Sequence, residues 1–131
     1  MTVKSIWERI KSRKIILYNI EAKKIDKNFD QDSSDISLET IVEIVNSDSE
    51  TLSIKADTKV SFIPESLFSI NIGHFVEYKL INKLDDKEIE DNINELMAPI
   101  AVEVSYLISF LTQKMIGTHI ILPPKLNIKI K

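Results

Sequence analysis

The feature that most limits the possible folds is a strict alternation of apolar and polar residues between Leu52 and Phe62. One side of the alternation consists of Leu52, Ile54, Ala56, Thr58, Val60 and Phe62. Successive side chains of a β-strand point to opposite faces of the sheet, so a period of two predicts a strand with one buried face. Pro64 follows and cannot donate a hydrogen bond to a neighbouring strand. We therefore expect this strand to end at Pro64.

Three further segments alternate in the same way and predict three more strands. The first extends from Ile15 to Ile25 and places on one face Ile16, Tyr18, Ile20 and Ala22. The second places on one face Ile36, Leu38, Thr40, Val42 and Ile44. The third places on one face Phe68, Ile70, Ile72, His74, Val76, Tyr78 and Leu80. Short, turn-like connections favour antiparallel neighbours, so the sequence predicts a four-stranded antiparallel sheet with one apolar face to be covered.

A long helical pattern follows the last strand and supplies that cover. Asp85 and Asp86 are suited to cap its start, and Gly117 is suited to end it. The apolar stripe consists of Ile89, Ile93, Leu96, Met97, Ile100, Val104, Leu107, Ile108, Leu111 and Met115. Pro99 lies inside the pattern and predicts a kink or a break. We therefore predict one α+β domain, residues 1–131, in which a four-stranded antiparallel sheet is packed by one long C-terminal helix.

Two short segments flank these elements. Ile6, Trp7 and Ile10 have helical spacing and predict one or two helical turns. We interpret Trp7 as a lid on the core, with an exposed contact to a partner as the alternative. After the helix, the segment from Ile120 to Pro124 is apolar and extended, and an alternation of Leu126, Ile128 and Ile130 follows.

The composition argues against several functional classes. The chain has 131 residues, no cysteine and only two glycines, so it can form neither a cysteine site nor a glycine-rich phosphate-binding loop. Seventeen basic and twenty acidic residues give a net charge of −3, which differs from the basic surface of a general nucleic-acid-binding protein. We find no apolar stretch of about 18 residues and no secretory signal. The sequence therefore predicts a cytoplasmic protein that binds no nucleic acid and does not insert into membranes.

No group of residues has the spacing of a catalytic or metal site. His74 lies on an apolar strand face, where we interpret it as a hydrogen-bonded core or rim histidine, and His119 follows the helix end, where the dipole favours a cation. One polar segment contains Asp26, Asp30, Asp32 and Asp35. The glycine and the final glutamate of a calcium loop are absent, so we interpret this segment as a solvated loop. We predict no catalytic residue, no metal and no cofactor, and a protein that is not an enzyme.

The unexplained features of the sequence are apolar. On a helical wheel, Val102, Tyr106 and Phe110 form a ridge outside the core stripe. Ser105 and Ser109 flank this ridge, and their small side chains allow another helix to approach closely. The ridge therefore predicts a subunit interface in a homo-oligomer, a dimer or a tetramer. The alternative is that the C-terminal residues or the Trp7 segment cover the ridge within one subunit.

The sequence resembles the SecB export-chaperone family in its order of elements and in two segments. One extends from Leu96-Met97-Ala98-Pro99-Ile100 to Leu111-Thr112, and the other is Gly117-Thr118-His119-Ile120-Ile121-Leu122-Pro123-Pro124. Members of that family are homotetrameric chaperones that hold precursor proteins unfolded without ATP. The resemblance implies a peptide-binding groove lined by Ile120, Ile121, Leu122 and Pro123.

The sequence also departs from that family. The family's second helix and acidic tail have no counterpart in these residues, and Lys23 and Lys24 stand where the family presents acidic residues to the secretion motor. It is more similar to short SecB-like proteins, some of which are tied to toxin–antitoxin systems. We therefore expect an ATP-independent chaperone for unfolded or nascent polypeptides, linked to protein export or to a toxin–antitoxin system. The alternative is a non-catalytic structural or assembly protein, of phage origin, that uses the same fold to oligomerise.

Overall fold

The computed structural model describes residues 5–24, 35–63, 68–117 and 119–131. A single 3₁₀ turn, Ile6–Arg9, precedes four long strands: β1 (Ile10–Lys24), β2 (Asp35–Ser47), β3 (Thr51–Ile63) and β4 (Phe68–Leu80). The helices α1 (Asp86–Asp91) and α2 (Ile93–Ile116) follow, and a short strand β5 (Ile128–Ile130) comes last. The predicted end of β3 at Pro64 lies outside the described residues, as do Asp26, Asp30 and Asp32.

The strands form one mixed sheet in the order β1-β4-β3-β2-β5. The first four are antiparallel, as predicted, whereas β5 pairs in parallel with β2 from Thr40 to Val42. The prediction of a purely four-stranded antiparallel sheet is therefore wrong in this detail. The physical reason is that the residues after α2 return along the helix and reach the edge of β2 in the same direction as β2.

The predicted inner faces of β2, β3 and β4 are confirmed for the side chains that the structure describes, among which Ile36, Phe62 and Phe68 are not included. Leu52, Ile54, Ala56, Thr58 and Val60 of β3 are all buried. On β4 the buried residues are Ile70, Ile72, His74, Val76, Tyr78 and Leu80. On β2, Thr40 and Val42 are buried, and the hydroxyl oxygens of Thr40 and Thr58 lie 2.9 Å apart in a hydrogen bond. These faces form the core under α2.

The predicted inner face of β1 is correct only beyond a β-bulge that lies between Leu17 and Asn19, and it is wrong for Ile16 and Tyr18. A bulge adds one residue to a strand and therefore exchanges the two faces beyond it. Before the bulge, Ile16 pairs with Phe75 on the outer face of the sheet. After the bulge, Ile20 pairs with the buried Ile72 on the helix side.

Tyr18 occupies the bulge and lies on the outer face. Its hydroxyl donates a hydrogen bond to Asp57, and its ring lies over Gly73. A Cβ atom added to Gly73 would be 2.5 Å from Cζ of Tyr18. Gly73 is therefore required for this close approach, because any larger residue would push the ring away.

The helical region begins and ends as predicted, but its interruption lies elsewhere. Asp85 and Glu88 form a reciprocal capping box at the start of α1, and Gly117 ends α2 with a φ of 79°. α2 continues through Pro99, so a break there is wrong and a kink stays a prediction. The chain leaves helical geometry at Asn92 instead. The side-chain amide of Asn92 donates to the carbonyl of Glu88 at 2.7 Å, so it competes with the helical backbone bonds at that point.

The residues that follow α2 return along one flank of the helix, and we call residues 119–131 the strap. The amide of Ile120 donates to Oγ1 of Thr112 at 2.9 Å, and Oγ of Ser105 donates to the carbonyl of Leu122 at 2.6 Å. Leu126 is buried, and β5 then joins the edge of β2. The strap thus closes one side of the core between α2 and β2.

By length and composition alone, Ile93–Met115 would be able to span a membrane. The core helix of a globular protein meets the same criterion, and this helix packs its apolar stripe against the sheet. The absence of membrane insertion therefore stays a prediction.

Candidate functional site

An open groove of about 700 Å³ lies between α2 and β1, on the flank of the helix opposite the strap. Its lining includes Trp7, Ile15, Pro99, Val102, Glu103 and Tyr106. Most of these side chains are apolar, and the groove is open to solvent along the edge of the sheet. This is the arrangement expected for binding an extended apolar ligand.

Trp7 forms one end of the groove, and the 3₁₀ turn holds it in place. Ser5 caps the turn by accepting a hydrogen bond from the amide of Trp7 at 3.3 Å. Arg9 forms an ion pair with Glu88 and donates to the carbonyl of Lys83 at 2.6 Å. These bonds connect the turn to the start of α1, so the position of Trp7 is fixed from two directions.

The indole of Trp7 packs on the sheet but is not fully covered. Its ring meets that of Tyr78 edge to face at 5.8 Å, and 37% of the residue stays exposed. Trp7 is therefore both a partial lid, as predicted, and an accessible surface. Tyr78 is buried, its hydroxyl donates to the carbonyl of Leu96 on α2, and burial raises the pKa of Tyr78 to about 12. This bond joins the sheet to the helix below the groove.

The helix wall of the groove includes Val102 and Tyr106 of the ridge predicted from the helical wheel, and Phe110 continues the ridge beyond the groove. Val102, Tyr106 and Phe110 are 60%, 67% and 47% exposed. The rings of Tyr106 and Phe110 stack with their centroids 6.5 Å apart, and Nζ of Lys114 lies 5.6 Å from the centroid of Phe110. Because the strap lies on the other flank, it does not cover the ridge. The subunit interface stays a prediction.

The role predicted for the two serines is wrong. Ser105 donates to the strap backbone, and Oγ of Ser109 lies 3.1 Å from Nδ1 of His119 in the strap. The small side chains therefore allow the strap, rather than another helix, to approach α2. His119 itself is exposed at this contact.

The charged groups of the groove are Glu103 on α2 and Arg13 on β1. Beneath Glu103 lies His74, which is a core histidine, as predicted, with Nε2 at 3.2 Å from Oε1 of Glu103. Although Nε2 lies this close to the carboxylate, neither ring nitrogen of His74 makes a hydrogen bond to the described residues. The predicted hydrogen bonding is therefore wrong. Among the same residues, no group of three or more histidines and carboxylates is placed to hold a metal ion.

The segment expected to line a peptide groove is divided between the core and solvent. Ile120 and Leu122 are half-buried and pack against the core, whereas Ile121 is 79% exposed and Pro123 is exposed. The segment lies on the strap side of α2, away from the open groove. Contact of these residues with a peptide stays a prediction.

The open groove itself did not follow from the sequence. Its residues come from two distant parts of the chain: the 3₁₀ turn with the adjoining β1, and α2. One signal was present, because Pro99, Val102 and Tyr106 have the spacing of a second apolar stripe along α2. The ridge of Val102, Tyr106 and Phe110, which overlaps this stripe, predicts a contact between subunits instead, and no sequence pattern identifies Ile15 and Glu103.

Comparison with known proteins supports the fold. No family model matches the sequence, and no curated protein matches it. Among solved structures, the chain is similar to the SecB-like chaperone Rv1957 of Mycobacterium tuberculosis in complex with a ChAD peptide from the Rv1956 HigA1 antitoxin. The TM-score is 0.68 at 10% identity, over 90% of this chain and 88% of that one. A protein of unknown function from Streptococcus agalactiae gives a TM-score of 0.48 at 18% identity, over 86% and 95% of the two chains.

The architecture is that of an α+β protein in which a long helix lies across a five-stranded sheet. The comparison with the mycobacterial structure identifies it as the SecB-like fold, as the sequence resemblance implied.

Proposed function

We propose that this protein is a SecB-like chaperone that binds extended segments of unfolded or nascent polypeptide in the groove between α2 and β1. The observation that carries the proposal is the open apolar groove itself, whose wall exposes Val102 and Tyr106 and whose end exposes Trp7. Apolar side chains of an unfolded client gain by leaving water in such a groove, at about 25 cal/mol for each Å² buried. No nucleotide is required for this binding.

The edge of the sheet beside the groove strengthens the proposal. β1 has 15 residues and, among the described residues, pairs only with β4. Its free edge therefore presents backbone donors and acceptors to an extended chain. Strand addition to such an edge binds the main chain of a client, and the groove binds its side chains. This combination recognises extended conformation more than a particular sequence.

The mycobacterial structure supports a polypeptide ligand. That SecB-like chaperone is in complex with a peptide from an antitoxin. By analogy, we propose that this protein acts on an antitoxin or on precursors for export, in the cytoplasm and without catalysis.

The exposed ridge further supports self-association. Because Val102 and Tyr106 belong both to the groove and to the ridge, client binding and self-association compete for them.

The second candidate function is that of a non-catalytic assembly protein. The stacked and exposed rings of Tyr106 and Phe110 favour it, because two aromatic side chains in line on a helix suit a permanent subunit contact. In that case the groove is covered in the assembly and takes no client.

An aggregation assay with unfolded model clients distinguishes the two functions. A chaperone suppresses aggregation near an equimolar ratio without ATP, whereas an assembly protein does not. Trp7 is the only tryptophan of the chain and lies in the groove. A client peptide without tryptophan should therefore change the emission of Trp7 in a saturable way. Absence of both effects would overturn the chaperone proposal.

A further inference from the structure

On the side of the sheet away from β1, the edge of β2 is paired with the chain's own strap, and this pairing is short. β5 pairs with three residues of β2, which has 13 residues. The amide of Thr40 donates to the carbonyl of Asn127 at 2.9 Å, and the amide of Lys131 donates to the carbonyl of Val42 at 2.8 Å. Parallel pairing is somewhat less stable per residue than antiparallel pairing. β5 is therefore weakly held, and among the described residues most of this edge of β2 has no strand beside it.

Burial along the strap decreases towards its last residues. Leu126 is buried, Ile128 is half-buried, and Ile130 is 43% exposed. Next to Ile130 lies a cavity of about 310 Å³ between β2 and α1, with Ile44 and Ile89 in its lining. Ile130 borders this cavity without filling it. A ligand strand at the same edge can therefore bury additional apolar surface there.

The charges around β5 determine which kind of ligand strand can bind at the edge of β2. Nζ of Lys129 lies 2.8 Å from Oε1 of Glu39, and this bond holds the pKa of the Glu39 carboxyl below its ordinary value. Glu43 lies beside the strap's end on the outer face, and Glu90 borders the cavity. In the strap, three lysines and one asparagine alternate with the apolar residues Leu126, Ile128 and Ile130. On β3, Lys55 and Lys59 are the cross-strand partners of Glu43 and Glu39. The carboxylates around β5, which also include Asp57, Asp86 and Glu90, outnumber these two lysines. This excess of negative charge matches a strand in which apolar and basic residues alternate.

We infer that the edge of β2 is a second polypeptide-binding site, which accepts an extended segment of alternating apolar and basic residues in place of β5. The strap is a built-in competitor for this site. β1 and β2 lie near opposite sides of the sheet, so the site is separate from the groove. The inference extends the proposed function, on which it rests for the class of ligand, and gives the protein two edges at which strands can be added.

A redox-controlled lock tests the inference in the full-length chain. Ile41 and Lys129 are direct neighbours across β2 and β5, both exposed on the outer face. The chain has no cysteine, so Ile41→Cys with Lys129→Cys creates a single disulfide that fixes the strap. Neighbouring strands lie about 4.8 Å apart, which is within the range that a disulfide spans. The oxidised and reduced forms of this one protein are then compared.

The probe is a fluorescent peptide with the sequence of residues 125–131, Lys-Leu-Asn-Ile-Lys-Ile-Lys. We expect the reduced form to bind it at least about tenfold more tightly than the oxidised form, because occupancy by the strap reduces the accessible fraction of sites. An analogue with its lysines replaced by glutamates should bind the reduced form at least about tenfold more weakly. A second variant, Ile128→Asp, releases the strap without a disulfide and should bind the peptide more tightly than the unmodified chain.

Two readouts separate failure of this inference from failure of the proposed function. Binding at the β2 edge should leave the emission of Trp7 unchanged. Equal affinity in the oxidised and reduced forms, or equal binding of the glutamate analogue, would overturn the inference. If the peptide instead changes Trp7 emission and loses affinity on Tyr106→Ala, it occupies the groove, and the proposed function stands without the second site.

Discussion

Replacing Tyr106 with alanine should weaken client binding while the fold stays intact. Tyr106 is 67% exposed, so of the roughly 200 Å² of a tyrosine side chain about 130 Å² is available to a client. If a client covers half of that area, the lost burial amounts to about 1.5 kcal/mol at ~25 cal/mol per Å². This corresponds to an increase in Kd of about tenfold.

The free energy of unfolding should change by less than about 0.5 kcal/mol, because the ring is mostly in water and alanine favours the helix. Binding is measured by the emission of Trp7 during titration with a client peptide, and stability is measured by urea denaturation. A matched pair of valines provides the control. Val102 in the groove is 60% exposed, and Val45 on β2 is 54% exposed.

Val102→Ala should reduce affinity, whereas Val45→Ala should not. The reasoning fails if Tyr106→Ala changes Kd by less than about twofold in a folded protein. It fails equally if the two valine variants weaken binding to the same extent, because the groove would then have no special role.

Three further outcomes follow from the described contacts. Leu122→Ser should lower the free energy of unfolding by about 2 kcal/mol through loss of core packing. Ile121→Ser should change it by no more than about 0.5 kcal/mol, as measured by urea denaturation. Equal losses in the two variants would show that Ile121 also belongs to the core. Tyr78→Phe removes the buried hydrogen bond from the tyrosine hydroxyl to the carbonyl of Leu96 and should cost about 1–2 kcal/mol in the same assay, and an unchanged midpoint would contradict the bond. The Glu39–Lys129 pair lowers the pKa of the Glu39 carboxyl through a hydrogen bond and an opposite charge, so its contribution is present above the ordinary carboxyl pKa and is lost as the pH falls through the lowered one. NMR exchange protection of the Lys131 amide should therefore decrease on acidification, and Glu39→Gln should remove that dependence.

Most of the fold could be predicted from the sequence because its signals are local. Alternation in β3 and β4 follows directly from the geometry of a strand, and the buried residues of both strands agree with it. The capping box of Asp85 and Glu88 and the left-handed Gly117 are likewise determined by residues close together in the chain.

The errors arise where a structure depends on backbone irregularity or on distant partners. A bulge such as that between Leu17 and Asn19 leaves the hydrophobic pattern unchanged while it exchanges the faces beyond it. The break at Asn92 depends on a side-chain hydrogen bond that competes with the backbone, whereas Pro99 is accommodated within α2. β5 is three residues long, and its partner lies far away in sequence, so alternation alone could not show which edge it joins.

The candidate site was predicted only in part for the same reason. The ridge residues Val102, Tyr106 and Phe110 share one helix, and their exposure follows from helical geometry. The opposite wall, with Trp7 and Ile15, comes from the start of the chain and depends on the placement of β1 beside β4. No local pattern carries that information.

The position of β1 in the sheet has a consequence for synthesis on the ribosome. β1 is made first, yet its partner β4 is complete only when Leu80 has been added. At roughly 5–20 residues per second, the delay is on the order of several seconds. During that time the consecutive apolar residues Ile15, Ile16 and Leu17 have no strand to join, while β2, β3 and β4 can pair as each emerges. The nascent N-terminal strand is thus itself an aggregation-prone segment, and a circular permutant that places β1 after β4 should give a higher yield of folded protein during translation.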